Sequence, residues 1–288
     1  MISSKISIGL VACYIGKLPW YFVYFVHSCS YNPDIDFFII TDDESYDSPV
    51  PSNLKIIRQD IKEIRAIASS KLQLEVALFN GYKLCDFKPA YGIIFSDYLE
   101  GYDFWGHTDI DIIFGQIRDF ISDELLTMHD LISVRPDWLT GCFLLYKNVP
   151  HINRLFMQSK DYIRVFTSKE HFCFDETNFA HDAFSAGKMF YEVNTDVESM
   201  MHVVQKAAVN HQIKPFFDLF IIEGTPGRLH WRNGKLYYRN RFEILLYHLI
   251  YFKKQNPPSR APQFTTAGFS IGPSKIRHHK TPLFCNEV

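Results

Sequence analysis

Tyr102 to Phe120 reads YDFWGHTDIDIIFGQIRDF. Asp109 and Asp111 flank one apolar residue at the end of a short aromatic and β-branched run that continues into Ile112, Ile113 and Phe114. Such a run reads as a buried strand. The C-terminal ends of strands are where open α/β sheets gather their ligands. In a strict strand the two aspartates would share one face, because side chains alternate with a period of two. Two carboxylates so placed suit one hard divalent cation, bound through oxygen with its other positions left to phosphate oxygens and water. An EF-hand loop fits poorly, since Ile113 and Phe114 stand where an oxygen ligand and a glycine belong. A DxD spacing alone arises often by chance. Its setting among Trp105, Ile110, Ile112, Ile113 and Phe114 sharpens it, because burying carboxylates there is costly unless a cation or donors compensate.

Upstream, Ile6 to Cys13 is an apolar strand candidate and Trp20 to Cys29 a helix candidate, followed by an Asn32-Pro33 turn. Asp36 to Thr41 predicts a second buried strand, Asp42 to Asn53 a polar loop, and Leu54 to Ile57 a third strand. Ile61 to Phe79 has apolar positions at helical spacing, and Pro89 opens a second helix running towards Leu99. Strand, helix, strand, loop, strand, helix, helix is the order of an α/β nucleotide-binding half. Downstream, Asp137 to Tyr146 reads as a loop entering a buried strand (CFLLY), in which Trp138 offers a face for stacking and Gly141 lets backbone approach a ligand. Asp175 and Glu176 have two readings: acids at the start of a helix from Asn178 to Gly187, or a carboxylate poised to take a proton. His230 precedes an Asn233-Gly234 turn and reads as a hairpin shoulder.

The 288 residues are 47% hydrophobic and 22% charged, which excludes disordered, collagenous and fibrous classes. Aromatic residues reach 16%, enough to fill a large core or line a site that stacks flat ligands. A formal charge of −2 gives no global field for nucleic acid. The balance is uneven: between Ile244 and Asn286 stand Lys253, Lys254, Arg260, Lys275, Arg277 and Lys280 and no acid. That stretch reads either as a solvated tail or as a surface for phosphates or anionic lipid head groups. The six cysteines are scattered without a CxxC pair, as expected of buried thiols in a reducing compartment. The N-terminus lacks a signal-peptide pattern, and no run is long enough to span a bilayer, so membrane attachment would be peripheral.

The segments YKLCDFKPAYGIIF, WGHTDIDIIFG, DWLTGCFLLYKN, FDETNF, RNGKLYY and LYHLIYFKK together resemble bacterial GT-A-type glycosyltransferases of surface-polysaccharide synthesis. The likeness covers roughly residues 5 to 254 and is most specific from Lys88-Pro89 to Asp111. It implies a GT-A-like, Rossmann-like mixed sheet flanked by helices. A single domain over 1–254 would divide into a nucleotide-binding half (about 1–120) and an acceptor half (about 121–254), with 255–288 as a basic C-terminal extension. It implies a sugar moved, with inversion, from a UDP-sugar to a glycan or lipid-linked acceptor at the cytoplasmic face of the membrane, with Mn²⁺ or Mg²⁺ on the DxD motif.

Carried over residue by residue, the resemblance makes Asp111 a direct metal ligand, gives Asp109 the ribose or the metal, and brings His248 back to complete the shell. Ala12, Cys13, Tyr14, Thr41 and Asp42 would cradle the nucleotide, while Lys88 and Lys253 would meet phosphate. Trp138, Thr140 and Gly141 would border donor sugar and acceptor, and Glu176, with Asp175 beside it, would be the base. Two other readings stay open: a catalytically silent carbohydrate-binding or assembly protein of the same fold, and a nucleotidyltransferase.

Overall fold

The computed structural model describes residues 5–256 and 268–279. Their strands, in chain order, are β1 (Ile8–Tyr14), β2 (Ile35–Thr41), β3 (Leu54–Arg58), β4 (Phe104–Thr108), β5 (Ile112–Phe114), β6 (Leu131–Ser133), β7 (Phe143–Lys147) and β8 (Pro215–Phe217). Then follow β9 (Ile221–Ile222), β10 (Leu229–Arg232), β11 (Lys235–Tyr238), β12 (Phe242–Ile244), β13 (Leu246–His248), β14 (Gly268–Ile271) and β15 (Ile276–His278). The chain is an α/β domain built on a large mixed sheet flanked by helices.

The main sheet has seven strands in the order β3-β2-β1-β4-β7-β6-β8. β3, β2, β1 and β4 run parallel, and β7 enters antiparallel to β4. The three strands of the predicted α/β half therefore form its parallel side, and the nearly unbroken apolar runs of β1 and β2 fit strands covered on both faces, while β3 is the half-exposed edge. One face packs on the helix Phe22–Cys29 and on the C-terminal strands. The other packs on the helices Ile61–Leu72, Tyr91–Ile94 and Met200–Val209. Trp105 at the centre of β4 is fully buried, stacks on Tyr146 at 4.4 Å, and donates its indole N–H to Asn153 Oδ1 at 2.7 Å.

Two smaller sheets complete the fold, a three-stranded one in the order β5-β13-β9 and a five-stranded one in the order β12-β11-β10-β14-β15. The hairpin expected at Asn233-Gly234 forms between β10 and β11. Trp231, fully buried, joins the two sheets by donating to the carbonyl of Phe114 at 2.8 Å.

Several expectations change. The helix read over 61–79 ends at Leu72, capped by Gln73 in the left-handed region (φ 54°). The apolar positions beyond it, Val76 and Leu78, are buried from non-helical chain tied to Phe166 by the amide of Ala77. The helix read from Pro89 to Leu99 breaks into the short pieces Lys88–Ala90, Tyr91–Ile94 and Ser96–Leu99. The helix read from Asn178 to Gly187 shrinks to His181–Ser185, because Asn178 and Phe179 have φ of 52° and 64°. The boundary at 255 also moves. Residues 268–279 include β14, paired with β10, and β15, paired with β14, so this part of the basic stretch belongs to the fold. Arg260 and Lys280 lie outside the described residues.

Candidate functional site

In the parallel half of the main sheet, strand order runs outward from β1 to β3 on one side and begins again at β4 on the other. That reversal opens a crevice at the C-terminal ends of β1 and β4, the place where open α/β sheets bind ligands. Cys13 and Tyr14 end β1, and Thr41 ends β2 beside Tyr14. Ala12 and Thr41 are buried. Asp42 accepts from the amide of Gly16 at 2.6 Å, which pins the β1 loop to the end of β2.

Asp109 and Asp111 are not on a strand: they occupy the turn between β4 and β5, so the turn and not a strand face brings their carboxylates near one another. Asp109, about a third exposed, accepts from Lys88 Nζ at 2.6 Å. Asp111 is buried, with Lys253 Nζ at 2.6 Å and His248 Nε2 at 3.3 Å from Oδ2. His248 reaches it because β13 pairs antiparallel with β5, placing His248 opposite Ile112, and Leu249 donates its amide to the Asp111 carbonyl at 2.9 Å. One ligand atom each from Asp109, Asp111 and His248 lie within 4.8 Å of one another. Burial alone would raise the Asp111 carboxyl, but His248 and Lys253 hold it well below the usual carboxylate range.

Behind this cluster stands Glu223, which no sequence signal pointed to. It follows β9, the parallel neighbour of β13, and accepts from His248 Nδ1 at 2.9 Å. That contact fixes which ring nitrogen faces Asp111. Glu223 also holds Arg135 at 3.0 Å, and Arg135 forks onto Asp137 at 2.9 Å while stacking on Trp138 at 4.4 Å. A continuous polar chain thus runs from His248 to Trp138. Burial opposes the imidazolium of His248, yet Cys142, Asp111 and Glu223 raise its pKa well above the ordinary value.

The second group gathers around Gly141, which is buried in the loop before β7. Its carbonyl accepts from Lys88 Nζ at 2.7 Å and its amide donates to Glu176 Oε1 at 2.5 Å. A methyl here would run into Asp175 Oδ2 and approach Glu176 Oε1 to 3.0 Å, so only glycine leaves room for both carboxyls. Glu176 Oε2 meets His181 Nε2 at 2.8 Å, and the edge of that ring lies against Trp138 at 4.5 Å. Burial raises the Glu176 carboxyl, but His181 and the Gly141 amide outweigh it and keep it below its ordinary value. Asp175 is the opposite case: burial pushes it well above the carboxylate range despite Lys88 at 3.8 Å. Lys88 remains charged; burial works against it, and Asp109 and its neighbours more than restore it. Thr140 is buried, and its hydroxyl donates to the Phe143 carbonyl at 2.7 Å.

Asp109, Lys88, Gly141, Asp175 and Glu176 therefore form one contiguous array, joined through Asp111 and His248 to Glu223 and Arg135. His230, weighed against His248 as a ligand, lies instead on β10 and bonds to Ser270 Oγ at 2.9 Å. A family of unknown function, DUF6625, matches residues 10–280, from β1 through β15. The chain belongs to this family. No curated protein matches it. The DUF6625 match spans the DxD turn, Glu176 and His248, and it extends past residue 254 to include β14 and β15.

Proposed function

We propose that the protein is a cation-dependent glycosyltransferase that moves a sugar, with inversion, from a nucleoside diphosphate sugar, namely a UDP-sugar, to a hydroxyl of a glycan or lipid-linked acceptor. The observation that carries this reading is the convergence of Asp109, Asp111 and His248 at the β1/β4 crevice, with two ammonium groups against them. The fold is read as GT-A-like on the same ground, a parallel half with a DxD turn at its crevice.

The donor set fits a cation. Two carboxylates and one imidazole suit Mn²⁺ better than Mg²⁺, which prefers oxygen throughout. The three ligand atoms lie within 4.8 Å of one another, a limit only slightly above twice a metal–ligand bond of about 2.1 Å, so at most a small side-chain movement brings them onto one ion. When bound, such an ion supplies positive charge to the diphosphate as it leaves.

The chain's own residues do the rest. Lys88, held by Asp109 and the Gly141 carbonyl, and Lys253, held by Asp111, are fixed positive charges for phosphate oxygens. Ala12, Cys13, Tyr14, Thr41 and Asp42 line the nucleotide side of the crevice. Trp138 and Gly141 border the sugar. The acceptor oxygen bonds to the anomeric carbon as that carbon's bond to the diphosphate breaks, and the hydroxyl proton passes to Glu176. Glu176 suits this role because its environment keeps it ionised, whereas Asp175 is pushed towards its protonated form.

The proposed site of action is the cytoplasmic face of a membrane, with contact through the basic C-terminal segment. Among the described residues, no helix is long and apolar enough to cross a bilayer. The test is to incubate the protein with a panel of nucleotide sugars and Mn²⁺ and identify the product. UDP release supports the reading. Pyrophosphate release points to nucleotidyl transfer, and no release from any donor, with sugar binding retained, points to a silent carbohydrate-binding protein.

A further inference from the structure

At the far end of the five-stranded sheet, where β10 begins and β14 turns into β15, lies a cavity of about 270 Å³ that the proposed reaction does not use. Its lining includes Arg228, His230, Ser270, Ser274, Lys275 and Arg277, and no acidic residue. The local chain explains its shape. The β14–β15 hairpin closes through the amide of Gly272 on the Lys275 carbonyl at 3.0 Å. Gly227, at φ 61°, lets the start of β10 come close against Pro273 of that hairpin. Arg228 follows at φ 57°, a conformation uncommon outside glycine, which sets its side chain at the mouth beside Lys275 and Arg277.

Arg228, Lys275 and Arg277 are exposed, and among the described residues none of the three has an acidic partner. Several other cations of the chain, Lys88, Arg135, Arg164, Lys235 and Lys253 among them, sit within 3.2 Å of a carboxylate. The acid nearest along the sheet is Glu243, one strand beyond Tyr237, which pairs with His230, and it is held by Lys235 at 3.2 Å. Inside the cavity, Ser270 Oγ lies 2.9 Å from His230 Nδ1 and 2.7 Å from His279 Nε2, so hydroxyl and imidazole groups already stand in a hydrogen-bonded row. Three like charges around a concave, hydroxyl-lined space, with no counterion among the described residues, repel one another, and an anion removes that cost. Two guanidinium groups match the geometry of phosphate oxygens.

We infer that this pocket binds a phosphate group, either on a soluble phosphate or diphosphate or on the headgroup of an anionic lipid. The inference does not rest on the transferase reading, since none of its residues touches the DxD cluster.

The test uses the full chain in a chelating buffer, so that binding at the DxD site with a divalent cation is excluded. Inorganic pyrophosphate is titrated by calorimetry, and sedimentation with phosphatidylglycerol vesicles is compared with phosphatidylcholine vesicles. The pocket variant is Arg228→Gln/Lys275→Gln/Arg277→Gln. The charge-matched control is Lys55→Gln/Lys62→Gln/Arg65→Gln, on the opposite flank of the main sheet. Because all the replaced side chains are polar and outside the core, both should fold, and Lys275→Gln alone serves if the triple variant does not. The expected result is at least a tenfold loss of affinity for pyrophosphate, for phosphatidylglycerol vesicles, or for both, in the pocket variant and not in the control. Loss in the pyrophosphate arm identifies a soluble ligand, and loss in the vesicle arm alone identifies a headgroup. No binding in either arm, or equal losses in pocket variant and control, overturns the inference.

Discussion

Asp111 is held by Lys253 and His248, and what decides its chemistry is a residue that touches it only through another. Glu223 sits 2.9 Å from His248 Nδ1, so the imidazole presents Nε2 to the candidate cation site in a fixed orientation. Partners of this kind commonly change metal affinity by about 10- to 100-fold when removed. Glu223→Gln is therefore expected to weaken Mn²⁺ binding about tenfold or more in a calorimetric titration with UDP present, while His230→Ala leaves it unchanged. Equal affinity in wild type and Glu223→Gln would remove Glu223 from the site. The aspartate pair was legible in the sequence because its two members are nearly adjacent and their apolar company is unusual. His248 needed the family likeness, since an imidazole among leucines and a tyrosine reads more readily as a packed core residue. Glu223 carried no local mark, because its role exists only once β9 lies beside β13.

Among elements, the loop before β7 is the most demanding, because one backbone position serves a lysine, two carboxyls and a strand entry. Gly141→Ala is expected to cost about 1–3 kcal/mol of stability in urea denaturation, as overpacking of a buried site usually does. It should also lower turnover at least tenfold, because the added methyl runs into Asp175 and crowds Glu176 beside it. Native stability together with native turnover would mean that the loop yields without moving the carboxyls. The strands of the parallel half were readable from their short, β-branched apolar runs. Helix lengths were not. Val76 and Leu78 keep a helical spacing although the chain there is non-helical, since burial rather than helix geometry selects their apolar character. The C-terminal strands were missed because β14 and β15 are only four and three residues long, and β14, which carries β15, pairs with β10 across a long gap in sequence.

At the scale of the whole molecule, the C-terminal sheet is clamped onto the main body by aromatic packing around His27. This histidine, on the helix Phe22–Cys29, lies 4.6 Å from the Trp231 ring and 5.4 Å from Tyr31. Burial, reinforced by His278, pushes its pKa down from 6.5 to about 4. The unfolded chain takes up the proton near pH 6.5 and the folded chain only near pH 4, so stability is complete above pH 6.5 and declines as pH falls between those values. His202 and His230 are shifted in the same direction, also chiefly by burial, and add to the same trend. Melting curves from pH 7 to pH 4 should fall more shallowly for His27→Gln than for wild type, and parallel slopes would place the acid sensitivity elsewhere. The central claim concerns the cluster that this architecture assembles from β4, β5 and β13. Its most direct test is a Mn²⁺ titration in the presence of UDP, followed by electron paramagnetic resonance, on wild type and Asp111→Asn. The account predicts one tightly bound, UDP-dependent Mn²⁺ in wild type and its loss in a folded Asp111→Asn protein; unchanged binding in the variant, or none in wild type, would contradict it.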